Sequence, residues 1–392
     1  MNAFLIFSLS LCLLTPMEPA MNDEKWALEM IQEWRACVDG VNNFDYNKVN
    51  KLEALARKHQ KIRGFLLKEL ETRKPPDRYY TMYVADMLVR IKAEEALPVM
   101  FRILQDKNQD ENARWTSGEA TGRFGKPALA GLTEASKSSE VFVRHCAVCS
   151  LGNLGRLKEP AVVLLLLQAL QDEDCGVRKS ATGSLRASPP EFAAPYLRKA
   201  IEHKNPHVRA GSASASIFLN VHFREAEKTL LELLVHPDVE VRADAVQAFW
   251  IYEDRPFSKA AVAPLCSALK DKDSRVRAGA AMGLGTLGPT AEPAVGDLIK
   301  ILREDKDKIV RQDMAEALGK IGPSASAAVP ALVAFIQEKD ISNGFGIIAL
   351  GLIGPAARDA IPVLEKILQE TKDDYVTAEA LAKIRGQKAP AR

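Results

Sequence analysis

No stretch of this sequence carries five or six like charges in a row, and its 53 Lys and Arg nearly balance its 51 Asp and Glu. Tracking a nucleic-acid backbone calls for concentrated basic charge, and single-stranded targets call for exposed aromatics as well. Aromatic residues make up only 6% of the 392 positions, so nucleic acid is not an expected partner. Cysteine is sparse too: beyond Cys12 there are five, Cys37, Cys146, Cys149, Cys175 and Cys266, an odd number with no framework spacing. Disulfides are therefore not what holds the fold together. Long apolar runs are almost absent. The exception is Phe4 to Leu14, too short to span a bilayer, so no integral membrane span is expected. That run, with the charged residues after it, reads as a signal peptide over residues 1–20 and predicts an exported protein, periplasmic or secreted. The alternative is a cytoplasmic protein starting at Met21.

What the chain does have is a period. The pairs Val143-Arg144, Val177-Arg178, Val208-Arg209, Val241-Arg242, Val276-Arg277 and Val310-Arg311 are separated by 34, 31, 33, 35 and 34 residues. Near-constant spacing of this length is the signature of a repeat architecture, which overrides any domain count taken from length. The register extends back to Tyr80-Thr81 and forward to Val376-Thr377, giving nine helix pairs and a terminal half-repeat.

Each repeat carries its own punctuation. Three residues before the register position stand Asp77, Asp110, Glu140, Asp174, Asn205, Asp238, Asp273, Asp307, Lys339 and Asp373; at 339 the neighbouring Asp340 can substitute. Short acidic and amide side chains there predict helix N-caps. The helix that follows reads V-R-A-G-A-A-M-G-L-G-T-L-G at Val276–Gly288, with apolar residues at offsets 0, 4, 5, 8 and 11, one broad helical stripe. Small residues such as Ala281, Gly283 and Gly285 predict close helix approach. Gly125, Gly155, Gly288, Gly322 and Gly354 predict helix ends at positive φ. Pro98, Pro127, Pro160, Pro195, Pro264, Pro293, Pro330 and Pro362 predict the first turn of the second helix in each pair.

A V-R-x-x-A-x-x-A-L-G-x-I-G helix followed by a proline-started helix resembles the HEAT repeat, particularly the HEAT-like variety of phycobilisome lyases. The resemblance covers residues 77–385 and implies an all-α fold, an α-solenoid of stacked antiparallel helix pairs. Residues 21–76 are expected to form a helical cap over the first repeat, with Leu52, Leu55, Ile62, Phe65 and Leu70 on one apolar face, and 386–392 a frayed tail. Proteins of this family are scaffolds, adaptors, inhibitors and a few enzymes, so the fold alone does not supply an activity.

Candidate chemistry is thin. Cys146 and Cys149 have C-x-x-C spacing on the variable face of a first helix; they read either as a thiol pair able to do redox work or as two half-buried small side chains. Arginine recurs at offset 1, which reads either as an anion-binding ladder or as structural pairing with capping acids such as Asp174, Asp238, Asp273 and Asp307. Among enzymes that share these repeats, deoxyhypusine hydroxylase holds iron through His-Glu pairs, and no histidine here precedes Glu. No metal site and no cofactor is expected. Accessory or lyase-like handling of a small cofactor such as a bilin stays open through the resemblance alone, as does a purely structural spacer. The leading expectation is a non-catalytic scaffold binding a protein or peptide in a groove lined by second helices. Arg102, Gln168, Arg198, Ser267, Lys300, Gln337 and Lys366 would present polar groups there, and Trp115, at offset 2 of its repeat, is a candidate anchor. Trp250, at offset 9, is expected to be packed.

Overall fold

The computed structural model describes residues 46–72, 78–251, 256–338, 344–371 and 375–388, together with Lys25, Glu29, Ile31 and Gln32. The expected signal peptide, Cys37, most of the expected helix near residues 24–38 and the caps at 77, 339, 340 and 373 lie outside the described residues. Every regular element among the described residues is a helix. The chain divides into two compact units, Met1–Gly131 and Leu132–Arg392.

In the first unit, α1 (Tyr46–Lys58) and α2 (Gln60–Thr72) are amphipathic helices separated at His59. They are followed by α3 (Arg78–Arg90), α4 (Leu97–Gln105) and α5 (Glu111–Arg123). Leu52, Ile62, Leu66 and Leu70 are buried with Val84, Leu88 and Met100 in one apolar cluster, which is what the period of their apolar residues requires. Helix α6 (Leu129–Ala135) connects to the second unit.

The second unit repeats one motif. Its first helices are α7 (Val141–Leu154), α9 (Cys175–Leu185), α11 (Pro206–Leu219), α13 (Val239–Ile251), α15 (Ser274–Thr286), α17 (Lys308–Ile321), α19 (Gly344–Ile353) and α21 (Tyr375–Arg385). Its second helices, in alternation, are α8 (Pro160–Ala169), α10 (Pro190–Ala200), α12 (Phe223–Leu233), α14 (Val262–Ala268), α16 (Val295–Glu304), α18 (Val329–Ile336) and α20 (Ile361–Thr371). A continuous apolar core runs from Ile201 to Ile384, so each pair buries its apolar faces on its neighbours rather than on itself.

The caps form as their residue types dictate. Asp110 accepts from the amides of Asn112 and Ala113, Asp174 from Val177, Asn205 from His207, Asp238 from Glu240, Asp273 from Arg275 and Asp307 from Ile309. Glu140 does not cap with its side chain. Its extra methylene is too long for the turn, and Ser138 Oγ accepts from the Glu140 amide instead.

Two expectations need correction. Gly125, Gly288, Gly322 and Gly354 do hold positive φ, but Gly155 has φ −53, and the left-handed residue there is Lys158 at φ 54. Gly155 is small for another reason: a Cβ would stand 3.3 Å from the backbone of Ala187 and Ser188. Nor does Pro195 open a helix; α10 starts at Pro190, with Pro195 inside it.

Successive first helices pack along their length, whereas second helices touch over shorter stretches. Small residues make this approach feasible. A Cβ on Gly285, Gly319 or Gly351 would lie 3.1, 2.7 and 2.9 Å from the Cα of Ala317, Ala349 and Ala380 respectively. Stretches Lys308–Ile336 and Gly344–Thr371 are apolar and long enough to cross a membrane by length and composition. Each is two helices broken at a 3-10 turn that begins with a positive-φ glycine, and about half of the apolar window is buried, 56% and 50%.

Candidate functional site

The arginine after the register valine is built into the stack, and at Arg144, Arg242 and Arg277 its geometry is the same. In α7, Arg144 Nη1 donates to the carbonyls of Ser138 and Ser139, closing the loop before its own helix. Its Nε and Nη2 reach Asp172 in the next loop at 2.7 and 2.9 Å. Arg242 makes the corresponding bonds to His236 O, Pro237 O and Asp271, and Arg277 to Asp271 O, Lys272 O and Asp305. Arg311 pairs with Glu338 and Leu302 O.

Structural pairing is therefore the role of these guanidinium groups, but the partner is not the capping acid. It is the acid two residues earlier, Asp172, Asp271 or Asp305, whose Oδ1 also accepts from the amide of the cap residue Asp174, Asp273 or Asp307. Burial pushes these three carboxyl groups up. The hydrogen bond from Arg144, Arg242 or Arg277, that of the cap amide and the adjacent positive charge outweigh it and leave each below its ordinary range. Bonding to the carboxylates raises Arg144 and Arg242 in return.

Two further rungs depart from this pattern. Where sister loops have aspartate, the loops before α11 and α13 have His203 and His236. Their Nδ1 atoms still accept from the amides of Asn205 and Asp238, preserving the turn, but a ring offers an arginine no carboxylate. Arg209 turns to Glu232 at 2.8 Å. Arg178 keeps its Nη1 bonds to Asp172 O and Glu173 O, while its buried Nε and Nη2 make no hydrogen bond. Beside them lies a cavity of about 30 Å³ between α9, α11 and α13.

The polar residues expected on second helices are exposed. Arg102, in the first unit, is paired with Glu71; Ser267 Oγ donates to Ala263 O at 3.2 Å; Lys366 lies 3.9 Å from Glu370. Gln168 lines an open cavity of about 370 Å³ with Lys137, Leu165, Gln171 and Asp172. Arg198, Lys300 and Gln337 are exposed on α10, on α16 and at the end of α18. Trp115 is exposed on α5 in the first unit, and Trp250 is half-buried. Cys149 is half-buried as its offset predicts, but Cys146 is buried against the stack, so the two thiols do not share an accessible face. No group of His, Cys, Asp and Glu among the described residues has the arrangement of a metal site.

Sequence reasoning missed the exposed apolar side chains of the first helices. Phe345, Ile348 and Leu352 are 37, 47 and 41% exposed along one stripe of α19, and Ile309 and Phe218 are exposed on α17 and α11. Phe345 and Ile348 occupy the offsets that carry Asp313 and Glu316 in α17, so the signal was present as an apolar substitution on a variable face. Burial, with the negative charges of Glu316 and Asp307, pushes the Asp313 carboxyl up to about 6.

A family profile for HEAT repeats matches residues 143–217, 226–296 and 295–385. The chain belongs to the HEAT-repeat family. HEAT-repeat architecture also accounts for its structural neighbours. Kap121p bound to Nup53p aligns with a TM-score of 0.51 at 12% identity, over 91% of this chain and 51% of that one. Kap95p, in a complex with RanGDP, aligns at 0.50 and 14%, over 93% and 53%. YibA of Escherichia coli aligns at 0.46 and 21%, over 72% and 98%. This HEAT-repeat chain thus spans about half the length of the Kap proteins, and the likeness to those two, at 12 and 14% identity, establishes a shared fold and nothing finer. No curated protein sequence matches it. The phycobilisome-lyase variety expected from the motif has no counterpart among these findings.

Proposed function

We propose that this HEAT-repeat protein is a non-catalytic scaffold that binds a protein or peptide partner, and that α19 of the second unit is its main contact. The observation that carries this reading is the stripe of Phe345, Ile348 and Leu352, apolar side chains left in water on a helix whose opposite face is fully packed. Contiguous exposed apolar surface is costly for a soluble chain and marks interaction sites. Leu352 lies against the Gly319 turn of α17, which carries Asp313 and Glu316 at the equivalent offsets. An apolar segment has the complementary chemistry. The solved Kap structures, captured with protein partners, support a scaffold use of the same fold.

The second-helix side chains Arg198, Lys300 and Lys366 offer the rival surface, and Gln168, in its open cavity, adds to it. Partner capture from native extract distinguishes the two faces. Replacing Phe345, Ile348 and Leu352 by Ser should abolish capture, and reversing Arg198, Lys300 and Lys366 to Glu should leave it intact. The opposite result would move the partner to the second helices. A coloured or mass-shifted product on purification would instead favour handling of a small cofactor.

A further inference from the structure

Arg178 occupies the same position in its repeat as Arg144, Arg242 and Arg277, and its Nη1 is anchored on two loop carbonyls in the same way. In those three sisters the Nε–Nη2 edge is closed by an aspartate in bidentate geometry, the pairing a planar guanidinium favours. At Arg178 that edge is 5% exposed as part of its side chain, makes no hydrogen bond and faces a cavity of about 30 Å³, because His203 stands where the aspartate would be. Two acids form ion pairs with this edge without making a hydrogen bond to it, and both are also engaged elsewhere. Asp244 Oδ2 is 3.5 Å from Nε and 3.3 Å from His207 Nδ1; Glu240 Oε2 is 3.8 Å from Nη2, and the Glu240 carboxylate holds Arg275 at 2.7 Å.

We propose that this cavity is a binding subsite for a carboxylate group supplied from outside the chain, which takes the place of the missing aspartate on Arg178. The surroundings suit an anion. Lys179 and Arg186 line the cavity with Arg178, against Asp244 as its one lining carboxylate. Arg186 is steadied by Ser214 Oγ at 3.4 Å and by the Phe218 ring at 5.6 Å. Gln247 adds a polar edge able to orient a second oxygen. The space admits little more than a carboxylate, given that a single water needs roughly 10–15 Å³ by this kind of measure. The site lies on first helices α9, α11 and α13, apart from the α19 stripe, so it stands or falls independently of the docking reading.

The test follows the Arg178 Nε–H resonance in arginine-labelled protein, assigned through R178K, during titration with sodium acetate and, at equal ionic strength, sodium chloride. A saturable shift with acetate and none with chloride is expected. H203D supplies the internal aspartate of the sister loops, so it should keep the fold and weaken acetate binding at least fivefold. A shift that chloride reproduces, or one that survives H203D, would overturn the proposal. Inorganic phosphate saturating at lower concentration than acetate would overturn the carboxylate assignment. The peptide Ac-Gly-Asp-Gly-NH2 separates two sources of the same chemistry: saturation tenfold below acetate supports a peptide-borne carboxylate, and saturation alongside acetate supports a free small one.

Discussion

Deleting one carboxylate from the ladder should loosen a single junction measurably. Asp305 accepts from Arg277 Nε and Nη2 at 2.7 and 3.0 Å and from the Asp307 amide at 2.9 Å, with its side chain 9% exposed. Hydrogen bonds to charged partners are each worth about 1.5–3 kcal/mol, and stranding a buried charge by removing its partner costs about 3–5 kcal/mol. Arg277 is 16% exposed and keeps its two loop carbonyls, so part of that cost is recovered from water. D305A should therefore cost about 3 kcal/mol and R277A about 2 kcal/mol, with a coupling of about 1.5 kcal/mol in the double-mutant cycle. Urea unfolding supplies the totals. Because a repeat stack need not unfold in one step, amide hydrogen exchange should accompany it and show accelerated exchange concentrated in α15 and α17. Coupling below about 0.5 kcal/mol, or exchange accelerated uniformly through the unit, would refute the ladder as a junction clamp.

Other outcomes follow from the same geometry. The lowered carboxyl groups of Asp172, Asp271 and Asp305 contribute stability that is present above the ordinary carboxylate range and lost as pH falls through their depressed values. Acid unfolding should thus begin below about pH 4, and D271N should flatten that limb of a stability–pH curve. Asp313 has the opposite sign: its raised value penalises the folded state increasingly from about pH 4 and fully above about pH 6, so D313N should stabilise by about 1 kcal/mol at pH 8, after allowance for solvent screening, by about half of that at pH 5 and by almost nothing at about pH 3, as read by thermal melting. G319A forces a Cβ to within 2.7 Å of the Ala349 Cα and should cost about 2–3 kcal/mol, whereas G322A, at φ 76, should cost about 1–2 kcal/mol; equal melting temperatures for both variants and the wild type would contradict this packing account.

The period, the caps and the glycine-mediated approach of first helices were legible because each is a local rule: an N-cap needs a short acceptor, and a helix interface without room for a Cβ needs Gly. The partner of each arginine was harder to read. Asp172 and Asp174 are two residues apart and both acidic, and only the geometry shows that one caps the helix while the other crosses the junction. Gly155 and Pro195 were misread because the same residue type serves packing in one place and backbone geometry in another. The cavity beside Arg178 did leave a trace, histidine at 203 and 236 where sister loops have aspartate, but its shape depends on Asp244 from α13, two first helices onward in the stack. The α19 stripe left a trace too, since Phe345 and Ile348 stand at offsets where α17 has acids.

The two histidine rungs are consecutive. From α9 to α13 the stack therefore lacks the bidentate cross-links found at the α7–α9, α13–α15 and α15–α17 junctions, and apolar packing joins these repeats with the single contacts of Arg186 to Ser214 and His207 to Asp244 and the looser ion pairs of Arg178. A solenoid transmits load only from neighbour to neighbour, so under tension or a bending partner it yields first at its least clamped joint. In mechanical terms the second unit is two stiffer blocks in series with a compliant link, and an anion bridging Arg178 would act as a removable pin in that link.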